Sequence, residues 1–221
     1  MLLRKQHLHK LLCRGVILCV TAPLRSISQT SYLRDHNMLL FNTYILLGVV
    51  VATIAVHFAS CLAWIVLPHH RPDWKKLELE DDVRDFITKN NIGPGQFMFP
   101  CYDDPSEMKT DEFQERMSKG PWGTLMVWKE EPNMGKNIGL TILFFFCINF
   151  ILAYIGTIAF DSEATFMQVF RLVSTAGILA FSASGIQHSI WFKRRILMDV
   201  LDGIVYGILS GLVIAGFWQL A

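Results

Sequence analysis

The chain has 221 residues, of which 52% are hydrophobic and only 18% are charged, and its formal net charge is +1. Soluble proteins usually carry about 25% charged residues, and here the missing charge is concentrated in long apolar segments. This composition excludes a soluble enzyme, a disordered protein and a small secreted domain held by disulfides. The near-neutral charge indicates no nucleic-acid partner, and the five cysteines match no zinc-binding spacing.

Residues 1–37 form a basic N-terminal arm. Six Arg and Lys residues and no acidic residue lie within residues 1–34, together with several Ser and Thr. This composition is typical of a mitochondrial transit peptide. It fits equally well an upstream extension of a bacterial protein that starts at Met38, or a retained arm that binds anionic lipid or a partner. The choice between a bacterial and a mitochondrial inner membrane stays open with these three interpretations.

Apolar segments predict four transmembrane helices. The segments cover residues 39–67, 138–160, 165–190 and 198–219. A helix needs about 20 apolar residues to cross about 30 Å of hydrocarbon, and its backbone polar groups have to be satisfied within the segment. The sequence therefore predicts a mainly α membrane protein, with the first helix within residues 38–68 and the other three within residues 137–221.

A polar extramembrane module, residues 69–136, separates the first helix from the second. It contains 14 acidic and 10 basic residues. Residues 81–90 and 104–117 have helical patterns, whereas 96–100 and 123–128 have the composition of strands. We therefore expect a small α/β insert. Basic residues near the segment ends are more numerous on the insert's side, which favours the cytoplasm or the matrix for this side. The basic residues of the arm, if the arm is retained, favour the opposite orientation, so the orientation stays open.

Small residues recur at every fourth position of the last helix. They are Gly203, Gly207, Gly211 and Ala215. Such a ridge lets two helix backbones approach closely in lipid, where apolar burial gives no driving force. It could serve packing within the bundle or docking onto another membrane subunit. A weaker set of small residues on the third helix favours a partner.

Ionisable residues within the predicted helices are functional candidates by default, and four of them are considered together. They are His57, Arg171, Asp199 and Asp202. We expect His57 to be a neutral histidine hydrogen-bonded to a neighbouring helix. Asp199 and Asp202 share a helix face, and we expect them to anchor or pack the last helix. Span order places Arg171 and Asp202 on opposite sides of the membrane, so we expect no direct pairing.

Histidines supply weak candidates for haem or metal ligands. They are His57, His69, His70 and His188. His69 and His70, together with Asp73, could bind a divalent ion, but adjacent histidines on a helix point in different directions and more often mark a membrane boundary. No cofactor is predicted, although haem or a metal is kept as a minor alternative.

A resemblance follows from several short motifs. These are His57, Trp64, Leu67-Pro-His-His70, Gly93-Pro-Gly-Gln-Phe-Met-Phe-Pro100, Lys119-Gly-Pro-Trp-Gly-Thr-Leu-Met126, Trp191-Phe192 and Asp199. Over about residues 45–219 the chain resembles a set of small bacterial inner-membrane proteins with a first helix, a compact polar insert and three further helices. The resemblance implies that architecture and no assigned activity.

The sequence contains no persuasive catalytic constellation. We therefore expect a non-catalytic integral membrane protein, an accessory or structural subunit that contacts other subunits of a larger membrane complex as well as the lipid bilayer. One alternative is a small transporter or ion-conducting protein, with His57, Asn149, Gln168 and Arg171 as candidate path residues. A further alternative is a redox protein that binds haem or a metal through histidines.

Overall fold

The computed structural model describes residues 42–221, except for the side chain of Ser184. The basic arm therefore lies outside the described residues. In chain order the helices are α1 (Thr43–Cys61), α2 (Glu80–Lys89), α3 (Asp111–Lys119), α4 (Met134–Ala159), α5 (Phe166–Phe192) and α6 (Leu197–Trp218), and the strands are β1 (Gly95–Phe99) and β2 (Gly123–Val127). The fold is mostly helical, as predicted.

Among the described residues, four helices are long and apolar enough to cross a membrane. They are α1 with the wider turn that extends it to Val66, α4, α5 and α6, and they are 24, 26, 27 and 22 residues long. Their bounds agree with the predicted segments to within a few residues. The chain is thus compatible with an integral membrane protein of four transmembrane helices.

Local chemistry sets where these helices begin and end. The Asn42 side chain accepts a hydrogen bond from the Tyr44 backbone N–H at 2.8 Å and caps the start of α1. Asn133 caps α4 in the same way. Pro68 has no N–H to continue the first helix, and a 3₁₀ turn, Pro68–Asp73, follows it. This turn brings the chain out of the bundle and into the insert.

The insert contains the two expected strands as an antiparallel pair. Phe97 lies opposite Leu125 in the register, and Phe99 lies opposite Gly123. Helix α2 precedes the pair, and α3, with a short 3₁₀ segment before it, lies in the connection between the strands. The prediction of a small α/β insert between the first two long helices is confirmed.

Each of the four long helices packs against two others, and the most extensive contact is between α5 and α6. The main hydrophobic core lies towards the end away from the insert, where Trp218, Ile214 and Leu152 are almost fully buried. A smaller aromatic cluster of Phe145, Phe181 and Tyr206 lies nearer the insert. Aromatic side chains therefore contribute to both clusters.

The small-residue ridge of α6 faces α5 of the same chain. A Cβ atom built on Gly177 would lie 2.9 Å from the Cα of Gly207, and one built on Gly211 would lie 3.0 Å from the Cβ of Ser174. Gly203 faces Phe181 and Ser182, and Ala215 is fully buried in the main core. The ridge is thus covered within the bundle and is not left open for a partner.

Candidate functional site

The end of α1 and the start of α6 meet on the insert's side of the bundle. The 3₁₀ turn after α1 carries His69, His70 and Asp73. The first turns of α6 carry Asp199 and Asp202. The insert and two long helices, α4 and α5, separate these segments along the chain, yet the order of the helices returns both to the same side. The resulting group of ionisable side chains is the interfacial His–Asp cluster, defined as His69, His70, Asp73 and Asp202.

One carboxylate faces both imidazoles of this cluster. The Nε2 atom of His69 lies 3.2 Å from Oδ1 of Asp202, and the Nε2 atom of His70 lies 3.0 Å from Oδ2. The Tyr206 hydroxyl, one turn further along α6, donates to Oδ2 at 3.3 Å. Asp202 therefore joins the 3₁₀ turn to α6 with both of its oxygens.

His70 faces a second carboxylate through its other ring nitrogen. Its Nδ1 atom lies 2.8 Å from Oδ2 of Asp73. The Trp64 ring stacks on the imidazole, with the centroids 3.9 Å apart and the planes at 8°. The contacts with Asp202, Asp73 and Trp64 fix the orientation of the ring. Since a neutral imidazole carries one proton, a ring between two carboxylates needs a second proton or a bound cation.

Burial and neighbouring charge shift the pKa of the His70 imidazole in opposite directions. Its side chain is only 5% exposed. Burial lowers the pKa of the imidazole, but the hydrogen bonds to the Asp202 and Asp73 carboxylates outweigh it and raise this pKa above its ordinary value. His69 is more open, at 23% exposed. The cluster is consequently buried on the His70 side and accessible on the His69 side.

Two arginines from the connection between α5 and α6 lie to one side of the cluster. Arg194 donates to Asp199 at 2.7 Å, and Arg195 donates to the Pro72 backbone oxygen at 3.1 Å. A cavity of about 320 Å³ lies beside Trp64 and Asp73 and is lined by four basic side chains, Lys75, Lys193, Arg194 and Arg195. Asp199 is thus paired with Arg194, and its role as an anchor or packing residue of the last helix stays a prediction.

The sequence argument about adjacent histidines is wrong here. His69 and His70 were expected to point apart, yet both reach the same carboxylate. The reason is that they lie in a short 3₁₀ turn between Pro68 and Pro72 and not on a regular α-helix. The two prolines around the His-His pair were the available signal for this turn, because proline fixes φ and removes the N–H donor.

The other histidine candidates lie away from this cluster. The Nε2 atom of His57 lies 3.6 Å from the Cys61 sulfur on its own helix, so the expected bond to a neighbouring helix is replaced by a local one. His188 is exposed and contacts the Phe192 ring, with centroids 4.5 Å apart. Arg171 is exposed on α5 and does not pair with Asp202, as span order predicted. The pairing of Asp202 with the two histidines was not predicted.

Sequence reasoning missed Tyr206 at the cluster and Gly177 at the contact between α5 and α6. Tyr206 bonds to Asp202, and Gly177 faces the ridge residue Gly207. Of the small residues that were noted on the third helix, Ser174 lies at that contact. An aspartate and a tyrosine spaced i, i+4 on one helix face were the available signal for Tyr206.

The cluster can hold a proton or a cation between two separate helices, and so fixes α1 to α6.

Comparison of the chain with protein-family models, with curated proteins and with solved structures found no match. The resemblance to small bacterial inner-membrane proteins therefore stays a prediction, and the function has to be inferred from the molecule itself.

Proposed function

We propose that the protein is a non-catalytic accessory subunit of a larger complex in a bacterial or mitochondrial inner membrane. In this proposal the four-helix bundle anchors the chain, and the insert binds the extramembrane surface of a partner protein. The observation that supports it is the apolar surface of the insert, which has almost no core of its own.

Side chains of the insert are exposed to an unusual degree. Throughout residues 74–133, all of which the structure describes, Phe113 is the one side chain that is buried. The larger apolar side chains that stay exposed include Phe86, Phe97, Met98, Phe99, Trp122, Met126 and Trp128. A two-stranded hairpin is marginally stable by itself, and contiguous exposed apolar patches mark interaction sites. A partner would supply the core that the insert lacks.

The hairpin has one face that is apolar at successive register positions. Side chains alternate between the two faces of a strand, so Phe97 and Phe99 lie on one face of the pair. Leu125, opposite Phe97, and Val127, opposite Gly95, lie on the same face. Phe97 is 42% exposed and Phe99 is 44% exposed. This face is called the hairpin apolar face. The opposite face is mixed, with Gln96 and Thr124 beside Met98 and Met126.

Charge favours a protein over the lipid surface as the occupant of this face. The module has 14 acidic and 10 basic residues, so its net charge is −4. Membrane surfaces with anionic lipids attract basic segments and would repel this one. Helix α2 begins with Glu80, Asp81 and Asp82 beside its apolar residues. The partner surface is therefore expected to combine an apolar pocket with a basic rim.

The alternative of a transporter draws less support. Three of its candidate path residues bond within their own helix or its cap. His57 contacts Cys61, the Asn149 amide donates to the Phe145 backbone oxygen, and Gln168 bonds to Thr165. Arg171 is exposed on the bundle surface. These contacts stabilise helices locally and do not join the residues into one route.

Adjacent residues of β1 provide the test. Phe97→Glu places an acid on the hairpin apolar face, and Gln96→Glu places the same acid on the opposite face one residue away. The native complex is extracted in mild detergent, and its subunit masses and stoichiometry are measured. We expect a complex of fixed stoichiometry that Gln96→Glu retains and Phe97→Glu weakens by about tenfold or more, as for a central interface residue.

Thermal unfolding of both variants shows whether the bundle is intact. Equal loss of the complex in the two variants would mean that the hairpin apolar face is not the contact. A wild-type protein that runs only as a single chain, with no bound subunit, would overturn the proposal.

A further inference from the structure

We propose that His69, His70 and Asp202 bind a divalent transition-metal ion at the membrane boundary, and that Asp73 positions His70 for it. This inference does not depend on the proposed accessory function. It concerns a different part of the molecule from the hairpin apolar face.

The donor atoms already stand close to the spacing that a metal requires. One donor atom from each of the three residues lies within 4.8 Å of the others. The two imidazole Nε2 atoms lie 3.2 and 3.0 Å from the oxygens of the Asp202 carboxylate. Tetrahedral ligands at bond lengths of about 2.0–2.1 Å are separated by about 3.3 Å. Small side-chain rotations would therefore suffice to bring the three donors onto one ion.

The donor types select the class of ion. Two imidazoles and one carboxylate are the ligands of many zinc and iron(II) sites that keep an open position. Hard ions such as Mg²⁺ and Ca²⁺ prefer oxygen ligands. A first-row transition ion such as Zn²⁺ is consequently the expected occupant. The more exposed side, at His69, leaves room for water as a further ligand.

Asp73 supplies the outer contact that ligating histidines usually have. A histidine that binds a metal through one nitrogen generally donates its other N–H to a carboxylate, which fixes the ring and its tautomer. Nδ1 of His70 lies 2.8 Å from Asp73, while Nε2 faces Asp202. The stacked Trp64 ring restrains the same imidazole from one side. His70 is therefore already oriented to present Nε2.

An ion here would bridge two helices that are far apart in sequence. His69 and His70 follow α1, and Asp202 lies in α6, 132 residues from His70. Because a ligand that binds only the folded state stabilises it, a bound ion should raise the thermal stability of the bundle. That effect gives a readout that needs no knowledge of an activity.

The test uses the full chain, purified in detergent without a polyhistidine tag and stripped with EDTA. Zn²⁺ is titrated by calorimetry, and Co²⁺ is added to record the absorption of a tetrahedral nitrogen–oxygen site. We expect a tight site for one Zn²⁺ per chain and a rise in the unfolding temperature. A double variant, His69→Ala with His70→Ala, should lose both effects while it retains every other histidine and cysteine.

Two milder variants keep the proposal testable if that double variant does not fold. His69→Ala removes the most exposed ligand. Asp73→Asn changes only the positioning residue, and we expect it to weaken Zn²⁺ binding by about 10–100-fold. The matched control is Asp85→Asn, an exposed aspartate paired with Lys89 on α2, which should bind Zn²⁺ as the wild type does.

Two outcomes would overturn the inference. One is a wild-type chain that shows neither the Zn²⁺ site nor the thermal shift. The other is Zn²⁺ binding that persists unchanged when His69 is replaced, because the ion would then be held by residues elsewhere in the chain.

Discussion

The two ends of the helical bundle are closed by different chemistry. Away from the insert, Trp218 is 1% exposed and donates its indole N–H to the Asp161 backbone oxygen at 3.1 Å. Gln219 donates to the Ala164 backbone oxygen at 3.0 Å. At the insert end, the closure is made by the imidazoles and carboxylates of the interfacial His–Asp cluster.

This difference indicates which end of the bundle should have a stability that changes with the ions in solution. Shape and neutral hydrogen bonds hold the far end, so its stability changes little with ions in solution. Charged or ionisable groups hold the insert end, so we expect its stability to depend on the proton or ion that Asp202 shares with the imidazoles. Variants that weaken one end at a time can separate the two contributions.

The largest expected effect is at the far end, for Trp218→Ala. The indole fills the space beside Gly156, where a built Cβ would lie 3.0 Å from the ring. Removing a buried tryptophan should lower the free energy of unfolding by about 3–5 kcal/mol. Unfolding in detergent measures this loss. Trp191→Ala, at a tryptophan that is 76% exposed, is the control, and similar losses in both would contradict the assigned role of Trp218.

The next effect is at the insert end, for Asp202→Asn in the presence of EDTA. The amide cannot serve both imidazoles as an anion does, so a largely buried His70 loses a charged partner. We expect a loss of about 1–3 kcal/mol in the free energy of unfolding. Asp199→Asn breaks the more exposed pair with Arg194 and should cost less than about 1 kcal/mol. A larger loss of unfolding free energy for Asp199→Asn than for Asp202→Asn would contradict the role assigned to Asp202.

Most of the fold could be predicted from the sequence because long apolar segments leave the backbone few alternatives in lipid. The four long helices follow from that constraint, and the strands of the insert follow from short apolar runs between Gly and Pro. The facing of helices was harder to foresee. Gly177 meets Gly207 only because of the way α5 crosses α6, and the spacing of small residues on each helix does not determine that crossing.

The site was predictable in its members and not in its assembly. His69, His70, Asp73 and Asp202 could all be noted from their types and their positions near segment ends. Their meeting depends on two things that local pattern does not contain. One is a 3₁₀ turn that directs neighbouring histidines towards the same group, and the other is the packing of α6 against α1.

A smaller effect at the far end separates shape from hydrogen bonding. Trp218→Phe keeps most of the buried ring but removes the N–H donor to Asp161. We expect a loss of about 1 kcal/mol in the free energy of unfolding from the hydrogen bond, together with a smaller loss from the reduced volume. Unfolding in detergent compares it with Trp218→Ala. An equal loss in the free energy of unfolding for Trp218→Phe and Trp218→Ala would mean that the hydrogen bond, and not packing, stabilises this end.

The smallest effect returns to the insert end, for Tyr206→Phe. This change removes the hydroxyl that lies 3.3 Å from Asp202 and keeps the ring against Phe145 and Phe181. Because the bond is long, we expect a loss of about 0.5 kcal/mol, at the low end for a hydrogen bond.

The Tyr206→Phe variant should also leave the far end unchanged, so its loss should add to that of Trp218→Phe in the double variant. Unfolding of the two single variants and the double variant measures this. A clear departure from additivity would show that the two ends are coupled through α6, and the separation drawn between them would then be wrong.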